Sequence, residues 1–337
     1  MNISSTLDKN RNFILYSLVI TLFTISSYIV HVFSPELSKL YGYTESNTML
    51  IKQLIPIAVG VVVAYLLGKL NRDIWFDRVG LAILFISFSL SVIIPFFPAF
   101  MISEMSNVKK YISIGGISIN PMLYFPIGAL WLISWSQEHK SRLFTNFTIL
   151  VLMLITSLVC VVLKNMGLLI LLETLFITLL VYLNGINKFT ILSAVATLGA
   201  GVLFIFMAEH RIIRIISWWN TLSGYVTNLS IEESLHENIL LSLIQESGHI
   251  TLFTVILLFI AIAYLLLTKH YEEQKYKLFI FGFVSLVLID LILNILYTYG
   301  LLPIYPTSLY MFGYGTSSVI SSFIFLGIVR MVFKSEK

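Results

Sequence analysis

The chain has 337 residues, 58% of them apolar and only 11% charged, with a formal net charge of +4 and a mean hydropathy of +0.93. Soluble domains carry about 25% charged residues, so a soluble globular domain is excluded and an integral membrane protein is expected. The single cysteine, Cys160, excludes an intramolecular disulfide. The basic residues sit beside the apolar runs, which fits membrane orientation and not nucleic-acid binding.

A membrane-spanning helix needs about 20 mostly apolar residues. Ten segments qualify in chain order: 13–33, 48–70, 79–103, 119–136, 145–163, 166–185, 188–208, 249–268, 277–298 and 311–333. The first run has no small-residue cleavage site after it and reads as a retained span. Only Leu163, Lys164 and Asn165 separate the fifth and sixth runs. The expected fold is therefore an all-α integral membrane protein of about ten helices, forming a single polytopic domain over residues 1–337.

Lysine and arginine are enriched on cytoplasmic loops. With the N-terminus inside, Lys9, Arg11, Lys69, Arg72, Arg78, Lys140, Arg142, Lys188, Lys269, Lys275, Lys277, Arg330, Lys334 and Lys337 share one face. Lys39, Lys109, Lys110, Lys164, Arg211 and Arg214 share the other. Fourteen against six places both termini in the cytoplasm. The connections 34–47, 104–118, 209–248 and 299–310 are then external, with 209–248 the large loop between spans seven and eight.

Ionisable groups at membrane depth are costly and point to function by default. Lys52 begins the second run and either snorkels to the interface or acts. Glu173, in LLETLF, pairs with a basic group or is protonated. Asp290 lies four residues before Asn294, on one helical face. That stripe leads into Gly300–Ser318, GLLPIYPTSLYMFGYGTSS, with three glycines, two prolines and three tyrosines. Irregular backbone at depth must be buried in protein or line a cavity. A cavity lined by Tyr314, Thr316, Ser317 and Ser318 is expected, with an ordinary external loop as the alternative.

The loop 209–248 carries Arg211, Arg214, the pair Trp218–Trp219, then Glu232, Glu233, His236, Glu237 and Glu246. The two tryptophans read as interfacial anchors. No HExxH, CxxC or phosphate-cradling glycine loop occurs, so metal hydrolases and P-loop enzymes find no support.

At Gly300–Ser318 the chain resembles the SEDS family, the FtsW and RodA group of bacterial cell-division and elongation proteins. The family segment is close to NxxxxxGLLPxTGxPLPFxSYGGSS. Asn294, Gly300, Leu301, Leu302, Pro303, Tyr314, Gly315, Ser317 and Ser318 match it without a gap. A second segment, SNVKKYISIGGISINPML, resembles NGAKRWIxLGGxxxQPSE, with Lys109, Lys110, Tyr111, Ile112, Gly115, Gly116 and Pro121 in register. IKQLIPIAVG, with Gln53 and Gly60, and the ESG of Glu246–Gly248 agree more weakly.

The resemblance implies a glycosyltransferase of the bacterial cytoplasmic membrane. It would polymerise lipid II, the undecaprenyl-diphosphate disaccharide, beside a class B penicillin-binding protein and among membrane lipids. The family's essential aspartate falls eleven residues before the glycine of its EELG segment, and here that position is Glu237. A carboxylate there acts as general base on the acceptor hydroxyl. Lys109, Lys110, Arg211 and Arg214 would stabilise the diphosphate leaving group, and Asp290, Asn294, Tyr314, Ser317 and Ser318 would line the substrate site. No divalent-metal cluster is visible in the sequence, although Glu232, Glu233 and Glu237 offer oxygen ligands for a weakly held magnesium ion. Departures accompany the match: Leu123 stands for the glutamate of QPSE, Pro126 for a lysine, Asn165 for the acid of LLQPDLGT, and Thr316 for a glycine. They leave open a precursor-binding scaffold that has lost the chemistry, while Asp290, Glu173 and the break at Pro303–Pro306 leave open a lipid-linked-precursor flippase.

Overall fold

The computed structural model describes residues 3–40, 48–70, 78–97, 102–105, 108–114, 117–206, 212, 215–216, 218–219, 239–303 and 308–334. Among these, ten α-helices follow one another as α1 (Ile3–Leu40), α2 (Thr48–Leu67), α3 (Gly80–Ile93), α4 (Phe125–His139), α5 (Arg142–Val162), α6 (Met166–Asn184), α7 (Lys188–Phe206), α8 (Ile239–Leu267), α9 (Gln274–Thr298) and α10 (Thr316–Lys334). Each apolar run expected from the sequence carries one of them. Seven, namely α1, α2, α5, α6, α8, α9 and α10, are long and apolar enough to cross a membrane, whereas Gly80–Phe96 and Lys188–Ala200 are shorter apolar helices. The chain is a multi-pass membrane protein by this architecture.

The all-α expectation needs one correction. Between α3 and α4 lies an antiparallel sheet of β1 (Ile102–Met105), β2 (Val108–Ile114) and β3 (Ile117–Ile119), in the order β1-β2-β3. The residues YISI and ISI alternate β-branched and polar positions around Gly115–Gly116, which is strand and hairpin chemistry. Ile112 is paired with Ile102 on one side and Ile119 on the other and is buried.

Two boundaries also move. Residues 239–248, expected within the loop 209–248, are helical, and Gly248 then breaks the axis with φ 76°. The last helix begins at Thr316, not at 311, because residues 308–315 fold into a turn. The three-residue link at 163–165 does separate two helices. Lys164 adopts φ 55°, the Asn165 amide N–H closes back onto the Cys160 carbonyl at 2.8 Å, and the Asn165 side chain caps α6 at the Leu168 amide.

Helices α4, α9 and α10 are the inner elements, with α2 lying along α10 and α3, α5 and α6 arrayed about α4 and α9. Outward faces carry Ile250, Phe253, Ile260 and Leu154, more than half exposed, as hydrocarbon contact requires. At one end of the bundle Arg11 donates to the Leu265 carbonyl at 2.7 Å, satisfying the open C-terminal turn of α8. At the same end as α9 begins, Lys275 bridges to Glu138 of α4 at 3.0 Å.

Small residues set the α2–α10 approach, as membrane helix pairs demand. A Cβ at Gly60 would lie 2.3 Å from the Phe323 ring, and one at Gly327 would lie 3.0 Å from the Ala64 Cα. The second contact is with backbone and cannot be relieved by a rotamer change. Gly327→Val is expected to destabilise by about 1–3 kcal/mol through overpacking, read as a lower midpoint in thermal unfolding of the purified protein in detergent. An unchanged midpoint would show that the two helices are free to separate.

Candidate functional site

The polar side chains singled out near the end of the sequence converge where α9, α10, α2 and the residues after β3 meet. Asp290 is fully buried, one helical turn before Asn294. Its Oδ1 accepts from Asn294 Nδ2 at 3.0 Å, and its Oδ2 accepts from the backbone N–H of Tyr310 at 2.8 Å. The carboxylate of α9 thus seizes the chain where it returns from the loop.

The rest of the turn is held in the same manner. Tyr310 donates its hydroxyl to the Leu123 carbonyl at 3.0 Å, and Met311, at φ 64°, donates its amide to Ser322 Oγ at 2.8 Å. Ser318 Oγ donates to the Leu309 carbonyl at 3.1 Å. Ser317 Oγ accepts the Asn120 amide at 2.7 Å, which joins the start of α10 to the segment leading into α4. Gln53 of α2 spans the turn, its Nε2 reaching the Gly313 carbonyl at 3.4 Å and its Oε1 accepting the Gly315 amide at 3.3 Å. Tyr314 donates to the Met49 sulfur at 3.1 Å.

The three glycines of the segment differ. An added Cβ at Gly313 would sit 2.6 Å from the Leu309 carbonyl oxygen, so this glycine exists to let the turn pack on itself. Gly300 at φ 68° and Gly315 at φ 120° use conformations that other residues rarely adopt, and among the described residues nothing lies within 4 Å of a Cβ there. Trp218 Nε1 donates to the Gly300 carbonyl at 2.6 Å, and His249 Nδ1 lies 3.1 Å from the Tyr299 hydroxyl, so residues flanking the 220–238 segment gather at the mouth of the same turn.

Of the site residues expected from sequence, Asp290, Asn294, Tyr314, Ser317 and Ser318 are brought into one buried network. Tyr314, Ser317 and Ser318 each have a partner within the protein. Lys109 and Lys110 lie on β2, with Lys109 the register partner of Glu104. Glu237, Arg211 and Arg214 lie outside the described residues, as do Glu232 and Glu233. Among the described residues no group of three His, Cys, Asp or Glu side chains is placed to hold a metal ion. Glu173, for which either a basic partner or protonation was expected, lies in α6 and accepts from Ser157 Oγ of α5 at 2.8 Å. The sequence reading did not single out Asn120, Tyr310 or Ser322. An Asn–Pro pair opening a helix marks Asn120 as a cap, which its acceptance of the Met122 amide bears out, whereas nothing in local sequence marks the other two.

A polytopic helical membrane protein with a re-entering turn clamped between its last two helices and an external-type hairpin is the class these features define. The family model for the cell cycle proteins FtsW, RodA and SpoVE matches residues 13–235 and 229–337. The chain belongs to that family. It is 25% identical over 390 residues to the probable peptidoglycan glycosyltransferase FtsW of Helicobacter pylori strain 26695, covering 98% of this chain and all of that one, and 24% identical to the strain J99 counterpart over the same spans. Its fold is similar to the rod shape determining protein RodA of Thermus thermophilus, with a TM-score of 0.71, 16% identity and coverage of 95% and 96% of the two chains. It is also similar, at TM-score 0.76, 17% identity and coverage of 95% and 97%, to a chain from a structure of a peptidoglycan synthase complex that coordinates polymerization and crosslinking.

Removing the Asp290 carboxylate leaves the Tyr310 amide buried without its acceptor. Asp290→Ala is expected to lose about 1–3 kcal/mol, with Asp290→Asn losing less because one carbonyl oxygen remains. Thermal unfolding in detergent of the two variants tests this, and equal midpoints for Asp290→Ala and wild type would show that the turn does not depend on this bond.

Proposed function

We propose that this protein is a peptidoglycan glycosyltransferase of the bacterial cytoplasmic membrane that polymerises lipid II into glycan strands. The observation that carries the reading is the end-to-end relation to two proteins named as probable peptidoglycan glycosyltransferases, over 98% of this chain. The buried network supports it, because the family's most distinctive segment is the one this fold holds in place with Asp290, Gln53, Ser317 and Ser318.

In this reading both termini are cytoplasmic and the chemistry lies on the outer face, beside the turn at Gly300–Ser318 and the loop 209–248. Glu237 removes the proton from the acceptor hydroxyl as it attacks the anomeric carbon of the donor, a contribution of about 10²–10⁴-fold. Arg211, Arg214, Lys109 and Lys110 offset the charge that develops on the diphosphate. A magnesium ion held by Glu232, Glu233 and Glu237 would share that task. Asp290, Asn294, Tyr314, Ser317 and Ser318 hold the turn that lines the substrate site. A class B penicillin-binding protein is the expected partner, since the structural relative above comes from a complex that couples polymerization to crosslinking.

A second reading, a precursor-binding scaffold without turnover, has one observation in its favour. Leu123 and Asn165 stand where the family has acids, and here Leu123 is buried with its carbonyl bonded to Tyr310 while Asn165 caps α6. Both positions serve the fold.

Strand synthesis from purified lipid II, with the partner present, separates the two. Wild type is expected to form strands and Glu237→Gln to lose about 10²–10⁴-fold in rate with membrane insertion intact. Equal synthesis by the variant rejects Glu237 as the base. Lipid II binding with no strands from either protein favours the scaffold.

A further inference from the structure

A second feature lies at the far end of α2 from that turn. Gln53, which holds the turn, and Tyr65 are separated by roughly 18 Å along the helix. Here two cations share the Tyr65 ring. Lys69 Nζ lies 4.3 Å from its centroid, and Arg330 Cζ, reaching across from α10, lies 5.4 Å from it. The same guanidinium lies 6.0 Å from the Tyr16 ring of α1. Gly68 makes the crossing possible, since a Cβ there would sit 2.5 Å from Arg330 Cδ. Three helices thus build one basic cluster.

The fold itself supplies no counter-charge. The Ala64, Leu66 and Leu67 carbonyls at the end of α2 accept from the amides of Gly68, Lys69 and Leu70, so the chain closes that helix end by itself. Among the described residues, Glu138 and Glu273 are both paired with Lys275, and neither Lys69 nor Arg330 has an acidic partner. An aromatic ring attracts a cation through its quadrupole but carries no net charge. Two positive charges about one ring therefore remain to be neutralised. Lys69 and Tyr65 are exposed and Arg330 is half-buried, so an anion can reach the cluster.

The surface beside the cluster selects the kind of anion. Val62 and Leu66 precede Lys69 at helical spacing and are each 56% exposed. An apolar outward stripe of α2 therefore runs straight to the cations. A water-soluble phosphate gains nothing from that stripe, whereas an amphiphile sets its hydrocarbon there and its charge on the basic pair. A zwitterionic headgroup would add its own ammonium to a site that already holds two positive charges.

We propose that Lys69 and Arg330 bind the phosphodiester of an anionic glycerophospholipid, with one acyl chain along Val62 and Leu66. Arg330 supplies planar paired donors to the phosphate oxygens and Lys69 a compact point charge. The site lies at the opposite end of the bundle from the Gly300–Ser318 turn and does not depend on the reaction proposed there.

A photo-crosslinking phenylalanine derivative at Leu66 of the full chain tests the occupant by the mass of the adduct. The vesicles hold equal dioleoylphosphatidylglycerol and dioleoylphosphatidylcholine with a minor share of undecaprenyl phosphate. Phosphatidylglycerol adducts are expected to exceed phosphatidylcholine adducts by at least about fivefold, the factor one cation supplies at an anionic membrane surface. Lys69→Gln in the same background is expected to lower that ratio by about fivefold. Lys69 is exposed, so this variant keeps the packing of Arg330 on Tyr16 and Tyr65. Equal adducts of the two glycerophospholipids, or an unchanged ratio in Lys69→Gln, overturns the proposal. Enrichment of undecaprenyl phosphate above phosphatidylglycerol, relative to the amounts supplied, overturns the choice of lipid.

Discussion

A backbone that leaves the helical state while buried in protein has no water to satisfy its amides and carbonyls, and this constraint governs the end of the chain. The turn at 308–315 is tolerated because side chains from three helices stand in for water. Asp290 takes the Tyr310 amide, Ser322 the Met311 amide, Gln53 the Gly315 amide, and Ser318 supplies a proton to the Leu309 carbonyl. Each partner is itself buried, so each would be costly in this position without the turn. Turn and helices stabilise one another.

The arrangement links the elements that the family's motifs mark separately. Ser317 at the start of α10 holds Asn120, and Tyr310 holds Leu123, so the hairpin segment and the final helix pair form one unit. Gly313 is closed by its own loop, whereas the Gly300 carbonyl is taken by Trp218 and the Gly315 amide by Gln53. Trp218 and His249 bring the two ends of the large loop to the same place.

Stability and chemistry are thereby divided among residues that look alike in the sequence. Asp290, Ser317 and Ser318 are polar residues in an apolar run, and the family resemblance assigns them to the substrate site. In the structure each is bonded to a backbone group of the protein. The carboxylate proposed for catalysis, Glu237, lies outside the described residues.

The amino-acid sequence by itself determined that the chain is a multi-pass helical membrane protein, because apolar runs of about 20 residues leave no other way to satisfy the backbone in lipid. It also marked Asp290 with Asn294, since spacing of four residues sets them on one face. The sheet at 102–119 was legible in the alternation of YISI and ISI about Gly115–Gly116, but only if the segment was read for strands and not as a loop motif. What tertiary structure alone decided were the pairings across the chain: Gln53 with Gly313 and Gly315, Asn120 with Ser317, Tyr310 with Leu123. These join residues about 190–260 positions apart. No local propensity encodes such a contact, because its energy exists only after the helices have packed.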